Sequence, residues 1–258
     1  MPFATHKGTR LYWRLQGLQG APVIVLLHGI GADQTLFDAI VPFLIDEYRL
    51  LRVDFRGHGA SDATAGDYSL DLLVGDVLAV MDAAGVDKAT LCGVSLGGMV
   101  GMEAGLKAPD RFTGLILACT SPSLTDFWRG RVAAVREAGG MSGIAAAATG
   151  AVLSKDYAAA HPGFVDGARY ALSHMSLDGY AGCGAAIRDM DVLDRLPGLD
   201  LPVLVLAGEQ DLATPFTGHG DRIVAAIPGA QSLIMQTGHW ACVEAPDQFA
   251  QAVREFAG

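Results

Sequence analysis

Short, nearly continuous apolar runs recur along the chain at residues 23–27, 50–54, 90–94, 115–118, 203–207 and 232–235, and a more alternating stretch covers 10–15. Runs without alternation suit strands buried on both faces, and such strands belong to a parallel sheet covered by helices. Helical periodicity fills the intervals. Residues 70–84 place Leu72, Leu73, Val77, Val80 and Met81 on one face, and further helices are expected at 97–107 and 246–256. Strands alternating with helices predict an α/β fold with a mostly parallel central sheet flanked by helices.

One interval breaks the alternation. Residues 121–200 run for about eighty positions without a strand-like segment, far beyond the roughly 15 that a plain loop tolerates. Helix-like pieces are expected there at 129–138, 144–153, 162–173 and 180–196, with many glycines blurring their ends. The expected organisation is a core of residues 1–120 and 201–258 carrying an inserted helical cap, or lid, at 121–200.

Composition narrows the function. The chain has 258 residues, of which 51% are hydrophobic and 18% charged, so it can bury a full core and is not disordered. Its formal net charge of -10 argues against nucleic acid or an anionic membrane as partner, which leaves a small-molecule substrate. No apolar run reaches the ~18 residues of a membrane span, and the N-terminus carries no secretory pattern. Cys92, Cys119, Cys183 and Cys242 lie far apart, forming neither a disulfide framework nor a zinc pattern. A cytoplasmic protein is expected. The pattern carries no signature of a particular oligomeric state.

The candidate chemistry begins at Gly93-Val94-Ser95-Leu96-Gly97-Gly98, which follows the run at 90–94 and precedes a helix. This is G-x-S-x-G in strand-turn-helix context. A turn sharp enough to lift Ser95 above the sheet leaves no room for Cβ atoms at 93 and 97, and it sets the serine at a helix N-terminus.

A serine hydroxyl needs a base to accept its proton and an acid to orient that base. Seven histidines are present, and the chain order nucleophile, acid, base selects His239, just after the run at 232–235. His219, between glycines at a helix start, is the competitor. Asp211 follows the run at 203–207 and is the candidate acid, with Glu209 as alternate. His28-Gly29-Ile30-Gly31 follows the run at 23–27, so the backbone N–H groups of Ile30 and Leu96 are the candidate oxyanion donors, with His28 structural.

These residues resemble the α/β-hydrolase superfamily. His28-Gly29-Ile30-Gly31, Asp54-Phe55-Arg56-Gly57-His58-Gly59-Ala60-Ser61-Asp62, the Ser95 motif, Asp211 and Gly238-His239 stand in its order and span nearly the whole chain. Within it, the stretches at 66–69, 179–189 and 227–230 are similar to the 3-oxoadipate enol-lactonase family. That resemblance implies a small enol-lactone bearing a carboxylate, from aromatic-compound degradation. No metal or organic cofactor is implied. Trp240, directly after the base, departs from the lactonase pattern and would alter the pocket wall beside the imidazole.

A carboxylate substrate calls for a cation inside the cap, and Arg129, Arg131 and Arg188 are the candidates. Phe127, Trp128, Tyr170 and Met175 are expected to exclude water and shape the pocket. The chemistry read from the residues is ester or lactone hydrolysis through an acyl-enzyme. Carbon-carbon bond hydrolases, perhydrolases, cofactor-independent dioxygenases and a slow-turnover ligand receptor use the same scaffold and stay open. A haloalkane-cleaving enzyme is disfavoured, since it would carry aspartate in place of Ser95.

Overall fold

The computed structural model describes residues 2–258. Its centre is an eight-stranded sheet in the order β1-β2-β4-β3-β5-β6-β7-β8. The strands are β1 (Phe3–His6), β2 (Thr9–Gln16), β3 (Val23–Leu27), β4 (Arg49–Val53), β5 (Ala89–Val94), β6 (Phe112–Ala118), β7 (Val203–Gly208) and β8 (Gln231–Met235). The β1–β2 and β2–β4 pairs are antiparallel, and every other pair is parallel. The unbroken apolar runs are the parallel strands, as expected of strands covered on both faces.

Side-chain parity assigns the faces. Val25 and Leu27 of β3 point into one core with Leu73, Val77 and Val80 of α2 (Leu70–Ala83) and with Met99 and Val100 of α3 (Leu96–Lys107). Ile24 and Leu26, one residue out of phase, join the opposite core. There they meet Leu44 of α1 (Val41–Leu44) and Cys242 of α10 (Ala241–Glu244), with Phe249 and Val253 of α11 (Pro246–Ala257).

Between β6 and β7 the chain forms α4 (Thr125–Ala138), α5 (Ser142–Val152), α6 (Lys155–Ala160), α7 (Pro162–Ser173) and α8 (Leu177–Asp189). After β7 comes α9 (Asp221–Ala226). The helix expected over 180–196 is shorter and starts earlier: Ser176 accepts a hydrogen bond from the Gly179 N–H to open α8, and Leu193–Gly198 is a separate 3-10 turn. The pattern does not reveal β1, an edge strand with little apolar content, or the six-residue α6. The glycines that blur α8 in the sequence are contact points. A Cβ on Gly57, where φ is +75°, would lie 2.1 Å from the Gly179 Cα, so the helix backbone packs directly on that loop. The four cysteines are buried and free. Among the described residues no helix is long and apolar enough to cross a membrane.

The apolar face of α2 conceals a charge. Asp76 is 1% exposed and takes two hydrogen bonds of 2.6 Å from the Arg56 guanidinium, which is 3% exposed, while His6 Nδ1 stands 2.7 Å from the same carboxylate. A fork of this geometry joins the segment after β4 to α2. Removing one partner strands a buried charge, at a cost of about 3–5 kcal/mol. Asp76→Ala is therefore expected to lower the urea unfolding midpoint by a corresponding margin, and an unchanged midpoint would refute the pairing's structural role.

Candidate active site

Ser95 connects β5 to α3 at φ 55° and ψ -115°, a region that side-chain-bearing residues rarely occupy. The surroundings hold it there. The Ser95 N–H donates to the Ala118 carbonyl at 2.9 Å, and Thr120 Oγ1 donates to the Ser95 carbonyl at 2.7 Å. A Cβ on Gly93 would meet the Gly97 carbonyl group at 2.2 Å, and one on Gly97 would meet the Leu27 carbonyl oxygen at 2.1 Å. Both glycines are thus demanded by close backbone approach.

His239 follows β8 and Asp211 follows β7. His239 Nδ1 lies 2.8 Å from Asp211 Oδ2, with both side chains buried. Two backbone bonds fix this meeting of loops, Glu209 N–H to Met235 O at 2.8 Å and Gln210 N–H to Thr237 O at 2.9 Å. Asp211 also accepts from the N–H groups of Ala213 (2.8 Å) and Thr214 (3.0 Å), and from Thr214 Oγ1 at 3.1 Å. Burial by itself would raise the Asp211 pKa, but His239 and these N–H donors outweigh it and hold the carboxyl below its ordinary range. Thr214, whose hydroxyl is also 3.3 Å from His239 Nδ1, was not singled out by the sequence; its place three residues after the acid is the only signal. Glu209 is exposed and bonds to Gln236 instead. Cys119 Sγ comes within 4.8 Å of the Asp211 and His239 ligand atoms, and burial, then Asp211, push its thiol pKa well up, leaving it a neutral packing group.

Ser95 and His239 line one cavity of about 360 Å³. Among the described residues no hydrogen bond joins Ser95 Oγ to the His239 ring; such contacts are often loose before substrate binds. The N–H groups of Ile30 and Leu96 have no hydrogen-bond acceptor among the described residues, and Leu96 is the first residue of α3, where none is available within the helix.

Two buried histidines shape the loop that carries Ile30. The N–H of Phe55 donates to His28 Nε2 at 3.1 Å, so His28 Nδ1 carries the proton and donates to the Gly29 carbonyl at 2.7 Å. The N–H of Gly31 donates to His58 Nε2 at 3.1 Å, and His58 Nδ1 faces the Arg56 carbonyl at 3.2 Å. Both rings are therefore neutral. Burial, and then the neighbouring His28, push the His58 pKa down to about 3; burial also lowers that of His28.

Trp128 and Arg131 of α4 and Tyr180 of α8 line the cavity from the 121–200 segment, and Trp240 lines it beside His239. Of the three candidate arginines, Arg131 alone faces the cavity. Arg129 is exposed on α4, and Arg188 is held outside by Asp67 and Asp189. Phe127 lines the cavity with 63% of its surface exposed, whereas Tyr170 does not line it and Met175 lines a neighbouring cavity of about 920 Å³.

Residues 22–246 match the model of the alpha/beta hydrolase fold family. The chain is 30% identical over 251 residues to 3-oxoadipate enol-lactonase 2 of Acinetobacter baylyi, covering 96% of this chain and 93% of the relative. A solved structure of a hydrolase from Pseudomonas aeruginosa superposes with a TM-score of 0.95 at 38% identity, covering 100% and 98% of the two chains. The enol-lactonase from Burkholderia xenovorans superposes with a TM-score of 0.94 at 32% identity, covering 99% of each.

The two neutral histidines make a pH prediction. With a folded pKa of about 3 against an unfolded value near 6.5, His58 binds fewer protons in the folded state between those limits. Stability must then fall as pH drops below about 6.5, with a slope of up to about 1.4 kcal/mol per pH unit for each such proton. His58→Gln, which keeps an acceptor for the Gly31 N–H, is expected to flatten the fall in urea-measured stability between pH 6.5 and 4. Parallel wild-type and variant curves would contradict the neutral assignment.

Proposed function

This chain belongs to the α/β-hydrolase family, and from that premise we propose that it is a cytoplasmic serine hydrolase cleaving a small ester or lactone through an acyl-enzyme. The observation that carries the reading is the meeting, in one cavity, of a serine held at positive φ and a buried His239–Asp211 dyad.

In this mechanism Ser95 Oγ attacks the carbonyl carbon and its proton passes to His239 Nε2, while Asp211 holds the Nδ1–H tautomer and stabilises the imidazolium. The developing oxyanion lies between the N–H groups of Ile30 and Leu96, the latter at the positive end of α3. His239 then returns the proton to the leaving oxygen, which in a lactone stays tethered to the acyl group. Water, deprotonated by the same imidazole, releases the acid and restores Ser95. Apart from the attacking water, the groups acting in each step are the chain's own. Residues 121–200 serve as the lid, with Trp128 and Tyr180 keeping bulk water from the acyl group.

The likeness to enol-lactonases over nearly the full length supports a lactone of the kind formed in aromatic-compound degradation. A local cation supports it further. Arg131 is the only lysine or arginine lining the cavity among the described residues, and none of their carboxylates pairs with it. Its Nε donates to the buried Tyr180 hydroxyl at 3.4 Å, which aims the guanidinium along the cavity wall. An arginine with no carboxylate partner among the described residues, in a mainly apolar cavity, suits a substrate carboxylate.

Two measurements test this. Ser95→Ala and His239→Ala are each expected to cut p-nitrophenyl acetate hydrolysis by at least about 10³-fold with cooperative melting retained; wild-type-like activity in either would overturn the serine mechanism. Arg131→Met is expected to lower kcat/KM for the enol-lactone of 3-oxoadipate by about 10–100-fold, the worth of one charge-assisted hydrogen bond, and to affect neutral p-nitrophenyl acetate far less. Equal losses on both substrates would remove the carboxylate assignment.

A further inference from the structure

His219 is a polar wall residue that this mechanism leaves without a task. It stands in the turn Phe216–Gly220 beyond the Asp211 loop, half-buried, and lines the same cavity as Ser95 and His239. Its Nδ1 lies 2.9 Å from Ser121 Oγ. The Ser121 hydroxyl in turn lies 2.8 Å from the carbonyl oxygen of Ser123. A carbonyl only accepts, so the Ser121 proton is committed there, and Ser121 Oγ must accept from His219. That places the ring proton on Nδ1 and leaves Nε2 with a bare lone pair.

Other features agree with a neutral ring. Burial pushes the His219 pKa below the ordinary imidazole value, opposed by Asp211 and reinforced by Arg222. Among the described residues Nε2 has no hydrogen-bond partner, and it is not one of the buried polar atoms sealed away without one. The cavity around it is otherwise largely apolar, with Met99, Leu124, Leu212 and Val152 on its walls. Arg131 can only donate. An anchored acceptor lining the same cavity is its chemical complement.

We propose that His219 is a specificity-determining residue: anchored on Ser121 through Nδ1, it accepts a hydrogen bond at Nε2 from a hydroxyl or N–H group of the substrate. The proposal rests on the ester-hydrolase reading alone and deepens it by giving the substrate a hydrogen-bond donor; the enol-lactone of 3-oxoadipate has none and would leave Nε2 unpaired. Sites that hydrogen-bond a substrate group discriminate against analogues lacking it, because the protein group is then left unpaired.

The test compares matched esters: ethyl lactate with ethyl propionate, ethyl 3-hydroxybutyrate with ethyl butyrate, and N-acetylglycine ethyl ester with its methylene isostere ethyl levulinate. The first two pairs report a hydroxyl and the third an N–H. The readout is the kcat/KM ratio within each pair, whatever the absolute rates. In wild-type protein at least one donor-bearing ester is expected to be preferred by about tenfold. His219→Leu should bring that ratio close to one, and His219→Gln, whose amide oxygen reaches the position of Nε2, should restore part of it. Ratios that are the same in wild type and His219→Leu for all three pairs would overturn the proposal.

A second arm needs no turnover. In Ser95→Ala protein, the ¹⁵N resonance of His219 Nε2 should shift on adding one of lactate, 3-hydroxybutyrate or N-acetylglycine, and not on adding propionate, butyrate or levulinate. Identical responses within every pair would also overturn it. Failure of wild-type protein to hydrolyse any of the esters would count against the ester-hydrolase reading, and this binding arm would still decide the role of His219.

Discussion

Holding a serine at φ 55° costs about 1–3 kcal/mol of backbone strain, and it persists only where the neighbouring structure over-determines it. Here that neighbourhood is backbone. Gly93 and Gly97 let the turn and the Leu27 carbonyl approach where a Cβ would collide, and the bonds from Ser95 N–H to Ala118 and from Thr120 to the Ser95 carbonyl tie the turn to β6. The parallel pairing of β3, β5 and β6 supplies these contacts, so the placement of the serine is a consequence of the sheet. The Asp211 and His239 loops are ordered in the same way, since β7 and β8 end side by side and two backbone bonds join the loops that leave them.

Around this frame four buried titratable side chains are accommodated by pairing or by neutrality. Arg56 and Asp76 satisfy each other with two hydrogen bonds. His28 and His58 have no such partner and are neutral, each accepting a backbone N–H and facing a backbone carbonyl. Their fixed tautomers hold both sides of the 28–31 loop, in which the Ile30 N–H has no acceptor among the described residues. Residues 152–154 are tied to the His239 loop in a comparable manner: the Glu244 carboxylate accepts from the N–H groups of Ser154 and Gly238, and the Trp240 N–H donates to the Val152 carbonyl at 3.0 Å.

The net charge of -10 says little about the reacting region. Four of the six arginines of the 121–200 segment pair with carboxylates away from the cavity, Arg136 and Arg188 with Asp67, Arg169 with Asp166 and Arg195 with Glu103. Arg131 is turned inward against Tyr180, giving an acidic protein a locally cationic pocket wall. Ligand charge preference follows this local field inside a low-dielectric cavity rather than the screened sum over the surface.

The parallel strands, the helices at 70–84, 97–107 and 246–256, and the Ser95 turn were legible in the sequence because they depend on local periodicity and on glycine at fixed spacing. The meeting of Asp211 with His239 was legible for a related reason, since the order of strands dictates which loops end at the same edge. Which arginine faces the cavity was not legible: Arg129 and Arg131 lie two residues apart on one helix, and only the packing of α4 against α8 decides which of them points inward. Asp76 inside an apolar helix face, Thr214 beside the acid, and His219 on the cavity wall escaped for the same cause. Each takes its role from a partner distant in sequence or from the way a loop closes, and a linear pattern of polar and apolar residues carries the period of an element but not the direction in which its tertiary neighbours turn it.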